Sequence, residues 1–206
     1  MRGIPTRAAC WPLLLLVSIT AVPGADNGKS EFRPRPVAEY AHRQSSEGVT
    51  IAAQAFETDE ETREPFGKVN PSRYGILPVF IVVQNDGRDA IRLDRMKFIY
   101  VLPDRTRIES TPAQDIKYLQ GAKRPSAVPG PVIPGIGRTP KNPLAEWEIE
   151  GRAFAAKMLP PGQTASGFVY FQVPQTSAAA SVYISDLTNA VTGKDLYYFE
   201  IPMSGR

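Results

Sequence analysis

His42 is the only histidine in this 206-residue chain, and Cys10 is the only cysteine. Serine–histidine or cysteine–histidine catalysis needs a nucleophile and a base within hydrogen-bond reach of each other. His42 lies in a polar stretch, and Cys10 lies in a segment with the layout of a removable leader. A zinc site built from thiolates and imidazoles is excluded on the same count. The remaining acid–base groups are carboxylates, crowded at Glu57, Asp59, Glu60, Glu61 and Glu64. Two acids facing each other across a cleft would equip a glycoside hydrolase. Acids this close in sequence read instead as a solvated face, and they lack the D-x-D-x-D-G spacing of a calcium loop. Gly130-Pro131-Val132-Ile133-Pro134-Gly135 suggests a phosphate loop. However, Ile136 and Gly137 stand where lysine and a hydroxyl residue belong, and proline removes amide donors. The chain is therefore read as having no catalytic residue, no metal and no cofactor. A carboxylate-dependent glycan hydrolase is the alternative.

Two features point to binding. Gly121 to Pro143 holds ten glycines or prolines in 23 residues, with Lys123, Arg124, Arg138 and Lys141 and no acid. Such a basic loop suits an anionic glycan, a lipid headgroup or an acidic protein patch, and its bland reading is a solvated linker. A small-ligand or inhibitor module using this loop is a further alternative. Tyr183 and Tyr197 alternate with apolar neighbours, which places them on an outward face; their bland reading is cross-strand packing.

Arg2 and Arg7 precede the run Leu13-Leu14-Leu15-Leu16-Val17, and small residues follow at Val22-Pro23-Gly24-Ala25. This is the layout of a secretory signal peptide over residues 1–25, too short for a membrane span of about 20 apolar residues. Removing it takes away Cys10 and two arginines, so the formal charge of +3 falls to near +1. That balance gives no case for nucleic acid. The expected location is periplasmic or extracellular, with no transmembrane segment after cleavage. The expected partner is another envelope protein or an anionic surface.

The elements behind these residues are mostly strands. Residues 26–47 read as a flexible lead-in, with Arg33-Pro34-Arg35-Pro36. Val49–Ala55 reads as the first strand. Ile76–Val83 is apolar on both faces and reads as a central strand buried on both sides, with Pro78 marking a free or bulged backbone edge. In residues 90–102 the apolar set jumps from odd positions (Ile91, Leu93) to even ones (Met96, Phe98, Tyr100), which demands a break near Arg95. Strands are also expected at Gly167–Pro174, Ser181–Asp186 and Leu196–Ile201. The acidic stretch is a short helix or a loop. Two further helices are expected. One is capped at Thr111 and runs to Leu119. The other starts at Asn142-Pro143, with Leu144, Trp147, Gly151, Phe154 and Met158 on one core-facing stripe.

Leu159-Pro160-Pro161-Gly162-Gln163-Thr164-Ala165-Ser166-Gly167-Phe168-Val169-Tyr170-Phe171-Gln172-Val173-Pro174 joins a proline–glycine turn to a strand ending Phe-x-Val-Pro. It resembles bacterial immunoglobulin-like domains of secreted proteins and lipoproteins of unknown function. The strand Val79–Asn85 with Asp86-Gly87 is similar to theirs as well. The resemblance spans roughly residues 48–202. It implies an immunoglobulin-like antiparallel β-sandwich of seven or eight strands with two short inserted helices. It also implies export, and no activity. The function expected is a non-catalytic binding or structural module of the bacterial cell envelope.

Overall fold

The computed structural model describes residues 32–119, 142–145, 147–173 and 179–203. Antiparallel strands dominate it. One sheet has the order β1 (Arg43–Ser46), β2 (Val49–Ala55), β3 (Leu77–Asn85), β8 (Thr164–Phe171). The opposing sheet has the order β11 (Phe199–Pro202), β9 (Ser181–Ser185), β5 (Lys97–Val101), β6 (Arg107–Glu109). A small ribbon joins β10 (Thr188–Asn189), β4 (Ile91–Arg92) and β7 (Met158–Leu159). Among the described residues there are also three short α-helices, α1 (Asp59–Phe66), α2 (Ala113–Leu119) and α3 (Trp147–Gly151), and three 3₁₀ turns.

The two faces of the first sheet are both buried, by different partners. Odd positions such as Ile51, Val79, Ile81 and Val169 meet Tyr100, Val182, Ile184 and Phe199 of the opposing sheet. Even positions (Ala52, Phe80, Val82, Phe168, Tyr170) form a second core with Phe66 of α1, Ile116 of α2 and Ile149 of α3. Aromatic rings fill this second core. Phe168 lies 4.7 Å from Phe66 and 4.8 Å from Phe80, centroid to centroid. Burial pushes the Tyr170 phenol far above its ordinary pKa, so it stays neutral and donates to the Ile149 carbonyl at 2.6 Å. The all-apolar run of β3 is thus explained by two cores, as expected of a doubly buried strand.

Pro78 sits where the β2–β3 ladder ends. Phe56 donates its N–H to the Pro78 carbonyl at 3.0 Å, and proline has no N–H to return. The Ser72 hydroxyl takes that place, donating to the Phe56 carbonyl at 3.3 Å. The phase change also has its break. β4 belongs to the small ribbon, a turn closes from Met96 N–H to the Leu93 carbonyl at 3.1 Å, and β5 enters the second sheet.

Three expectations need correction, and one left open between helix and loop is settled. Strands number eleven among the described residues, because β1, β4, β7 and β10 are pieces of two to four residues with no apolar run of their own. Residues 37–46, expected in a flexible lead-in, are packed. Val37 and Tyr40 are buried, and β1 pairs with β2 through the two-residue turn Glu47-Gly48. Both turn residues have positive φ (49° and 79°), the conformation a tight hairpin requires. The acidic stretch is helical. The Thr58 side chain caps Glu61 N–H and the Glu61 carboxylate caps Thr58 N–H, while acids in the first turn face the helix's positive end. The helix expected from Asn142 onward is a 3₁₀ turn (Pro143–Ala145) and the single α-turn pair of α3. Phe154 and Met158 lie beyond its end. Leu144 and Ile149 are the buried residues, and Trp147 is 72% exposed. Segment 152–154 leaves the helix because it bridges to β8: Phe168 donates to the Arg152 carbonyl at 2.8 Å and Phe154 to the Phe168 carbonyl at 2.9 Å.

Candidate binding surfaces

Among the described residues, the second sheet is covered on one face only. Tyr100, Val182, Ile184, Phe199 and Ile201 point into the core, so the two-residue period turns Ile99, Val101, Tyr183 and Glu200 to the other side. In register, Tyr183 lies between Ile99 of β5 and Glu200 of β11. The Arg107 guanidinium lies over the Tyr183 ring, 5.5 Å from its centroid. Tyr198, just before β11, stacks on Tyr183 at 4.9 Å with an interplanar angle of 26°. Lys97 flanks the group and pairs with Asp186 at 3.0 Å. Tyr197 is 69% exposed and Tyr198 51%. The Lys194 ammonium lies 5.9 Å from the Tyr197 ring and pairs with Glu47 at 3.0 Å. The partly buried Tyr183 and the half-exposed Tyr198, stacked beside an arginine, offer a stiff, amphipathic contact area.

The outward placement of Tyr183 follows from alternation, whereas the strand expected at Leu196–Ile201 starts only at Phe199 and leaves Tyr197 outside it. Tyr197 shares the parity of the inward Phe199 and Ile201, and it is exposed because it precedes the ladder. The ring that stacks on Tyr183 is that of Tyr198, and the cation over it is Arg107; neither was singled out. Their signal lay in register: Arg107 stands opposite Val101, and Tyr198 precedes the inward Phe199. Lys123, Arg124, Arg138 and Lys141 lie outside the described residues.

A second surface lies beside α1. A cleft of about 750 Å³ is lined by Arg63, Lys68, Arg73, Asp59, Tyr74 and Val69, among others. Asp59 accepts from Arg73 Nε at 3.0 Å and pairs with its Nη2. Asn70 Nδ2 donates to Asp59 at 2.8 Å and to the Glu57 carbonyl at 2.9 Å, and Asn70 Oδ1 accepts from Ser72 N–H at 2.9 Å. The Asn70 hydrogen bond, with the Arg73 guanidinium, holds the Asp59 carboxyl below its ordinary pKa.

Of the other acids in the stretch, Glu61 caps the helix. Glu61 accepts from the N–H groups of Glu57 and Thr58, each at 3.1 Å. The His42 carbonyl accepts from Ala53 N–H at 3.1 Å, tying it to β2. Among the described residues, no three histidine, cysteine or acidic side chains gather closely enough for a metal ion, and no helix is long and apolar enough to cross a membrane.

The chain matches no family model and no curated protein. Among solved structures it is similar to the yjhA protein from Bacillus subtilis, at 8% identity and a TM-score of 0.45, over 80% of this chain and 98% of that one. It is also similar to MPT63, a secreted protein from Mycobacterium tuberculosis, at 13% identity and a TM-score of 0.34, over 74% and 82%. A third similarity is to ycdA of Bacillus subtilis, at 14% identity and a TM-score of 0.39; it covers 78% of this chain but only 38% of ycdA.

Proposed function

We propose that this chain is an exported, non-catalytic binding module of the bacterial cell envelope, with an immunoglobulin-like sandwich that holds another envelope protein against its tyrosine-bearing sheet face. The observation that carries the reading is an asymmetry. One sheet is covered on both sides, while the other leaves Tyr183, Tyr198, Ile99, Val101 and Arg107 on its outer side. A flat face of this composition suits a folded protein better than a small molecule, which needs concavity to be desolvated. Export is supported by the arginines, apolar run and small residues of segment 1–25. The non-catalytic reading is supported by the single histidine and the single, leader-borne cysteine.

The test immobilises the mature chain and challenges it with solubilised envelope proteins. Wild type retains one discrete protein, and the variant Tyr183→Ala, Tyr198→Ala, Arg107→Glu retains at least about tenfold less of it with its thermal midpoint unchanged. Equal retention by the variant contradicts the assignment of the face. Retention of anionic vesicles in place of a protein contradicts the choice of partner.

A further inference from the structure

The cleft beside α1 has a charge imbalance that its own residues do not settle. Arg63, Lys68 and Arg73 line it, against the single carboxylate of Asp59. That carboxylate is committed to Arg73 and Asn70. No ion pair involves Arg63 or Lys68 among the described residues, and both are exposed. The lining thus carries a net formal charge of +2, which a dianion would offset.

Arg73 is oriented for this task. Its Nε and one Nη2 hydrogen are spent on Asp59, and Asp59 is fixed in turn by Asn70, a buried amide held by the Glu57 carbonyl and Ser72 N–H. The guanidinium therefore has its plane set and, among the described residues, no hydrogen bond on Nη1, which leaves a pre-organised edge of the kind that recognises phosphate or carboxylate. Gly67 closes α1 with a φ of 69° and has nothing within 4 Å of where a Cβ would stand, so the floor between Arg63 and Lys68 is open. Val69, Tyr74 and Pro143 add an apolar wall. At about 750 Å³ the cleft has the size of small-molecule sites, and inorganic phosphate alone would leave most of it empty.

We propose that this cleft binds a small organic dianion, a phosphomonoester or a dicarboxylate, with Arg63, Lys68 and Arg73 on the charged end and Tyr74, Val69 and Pro143 against the organic body. This site is independent of the tyrosine face. The test is calorimetric titration of the mature chain at low ionic strength and neutral pH with phenyl phosphate, phthalate and inorganic phosphate. The expected result is saturable one-to-one binding of phenyl phosphate or phthalate, about tenfold or more tighter than inorganic phosphate and weakened by added salt. Arg63→Glu with Lys68→Glu changes exposed side chains only, keeps the thermal midpoint, and lowers the affinity about tenfold or more. Tyr183→Ala with Tyr198→Ala leaves it unchanged. Binding indifferent to the two charge reversals overturns the site. Inorganic phosphate binding as tightly as phenyl phosphate overturns the organic body. Absence of binding by either aromatic dianion at millimolar concentration overturns the proposal as a whole.

Discussion

Asn85 is a fully buried amide at the end of β3 that ties three parts of the chain together. Its Nδ2 donates to the Asp89 carbonyl at 2.8 Å and to the Leu159 carbonyl at 3.0 Å, and its Oδ1 accepts from Gly87 N–H at 3.0 Å. Asn85→Leu removes three hydrogen bonds from a fully buried side chain, so we expect a loss of about 2–3 kcal/mol. Urea unfolding checks this: the midpoint falls at unchanged slope. Asp59 gives a pH-dependent counterpart. Its folded pKa is depressed, so its contribution is complete above the ordinary carboxylate pKa near 4 and fades as pH falls through the lower folded value. Thermal midpoints measured down the acid range should show Asp59→Asn below wild type at neutral pH, with the gap closing in acid; a constant gap would rule out the linkage. At this scale the sequence was informative about direction and silent about partners. Alternation placed Tyr183 outward, but nothing in spacing joins it to Tyr198 or Arg107. Asn85-Asp86-Gly87 announced a turn, whereas the role of Asn85 depends on Leu159, 74 residues away.

The glycine of the Gly167-Phe168-Val169 strand has a specific cause at the level of elements. A Cβ there would stand 2.5 Å from Phe154 Cα and 2.6 Å from Phe154 N, because segment 152–154 crosses the β8 edge at contact distance. Gly167→Ala must push that segment away, at a cost of about 1–3 kcal/mol. Hydrogen exchange should accelerate at Phe154 and Phe168, whose N–H groups make the two bridging bonds. Unchanged exchange at both would contradict the close approach as the reason for glycine. The same crossing explains why the helix expected from Asn142 fails. Leu144, Gly151, Phe154 and Met158 keep helical spacing, yet hydrogen bonds to β8 are available once the chain turns at Arg152, and they end α3 at Gly151. Periodicity sees the chain alone and cannot weigh a neighbouring strand edge. The break near Arg95 was legible because a one-residue slip reverses every side chain. The capping box at Thr58 lay in a run whose acidity suggested a solvated loop equally well.

Over the whole molecule, the distribution of apolar surface separates the two sheets. The first needs three helices and the segment around Val37 and Tyr40 to cover it, and Phe32, Phe56, Phe66, Phe80 and Phe168 make that cover aromatic. The doubly apolar β3 announced such a layer, while the identity of the covering elements, drawn from four separate stretches of chain, was not readable from any one of them. Among the described residues, the second sheet has no equivalent layer over Tyr183 and Tyr198, stacked rings that a partner would desolvate. The most direct measurement places a photo-crosslinking amino acid at position 198 in cells expressing the full chain, with the more exposed position 147 as a comparison. The account predicts one discrete envelope-protein adduct from position 198 that disappears when Tyr183→Ala and Arg107→Glu are added, and no such adduct from position 147. Adducts of equal yield from both positions, or none from position 198, would contradict it.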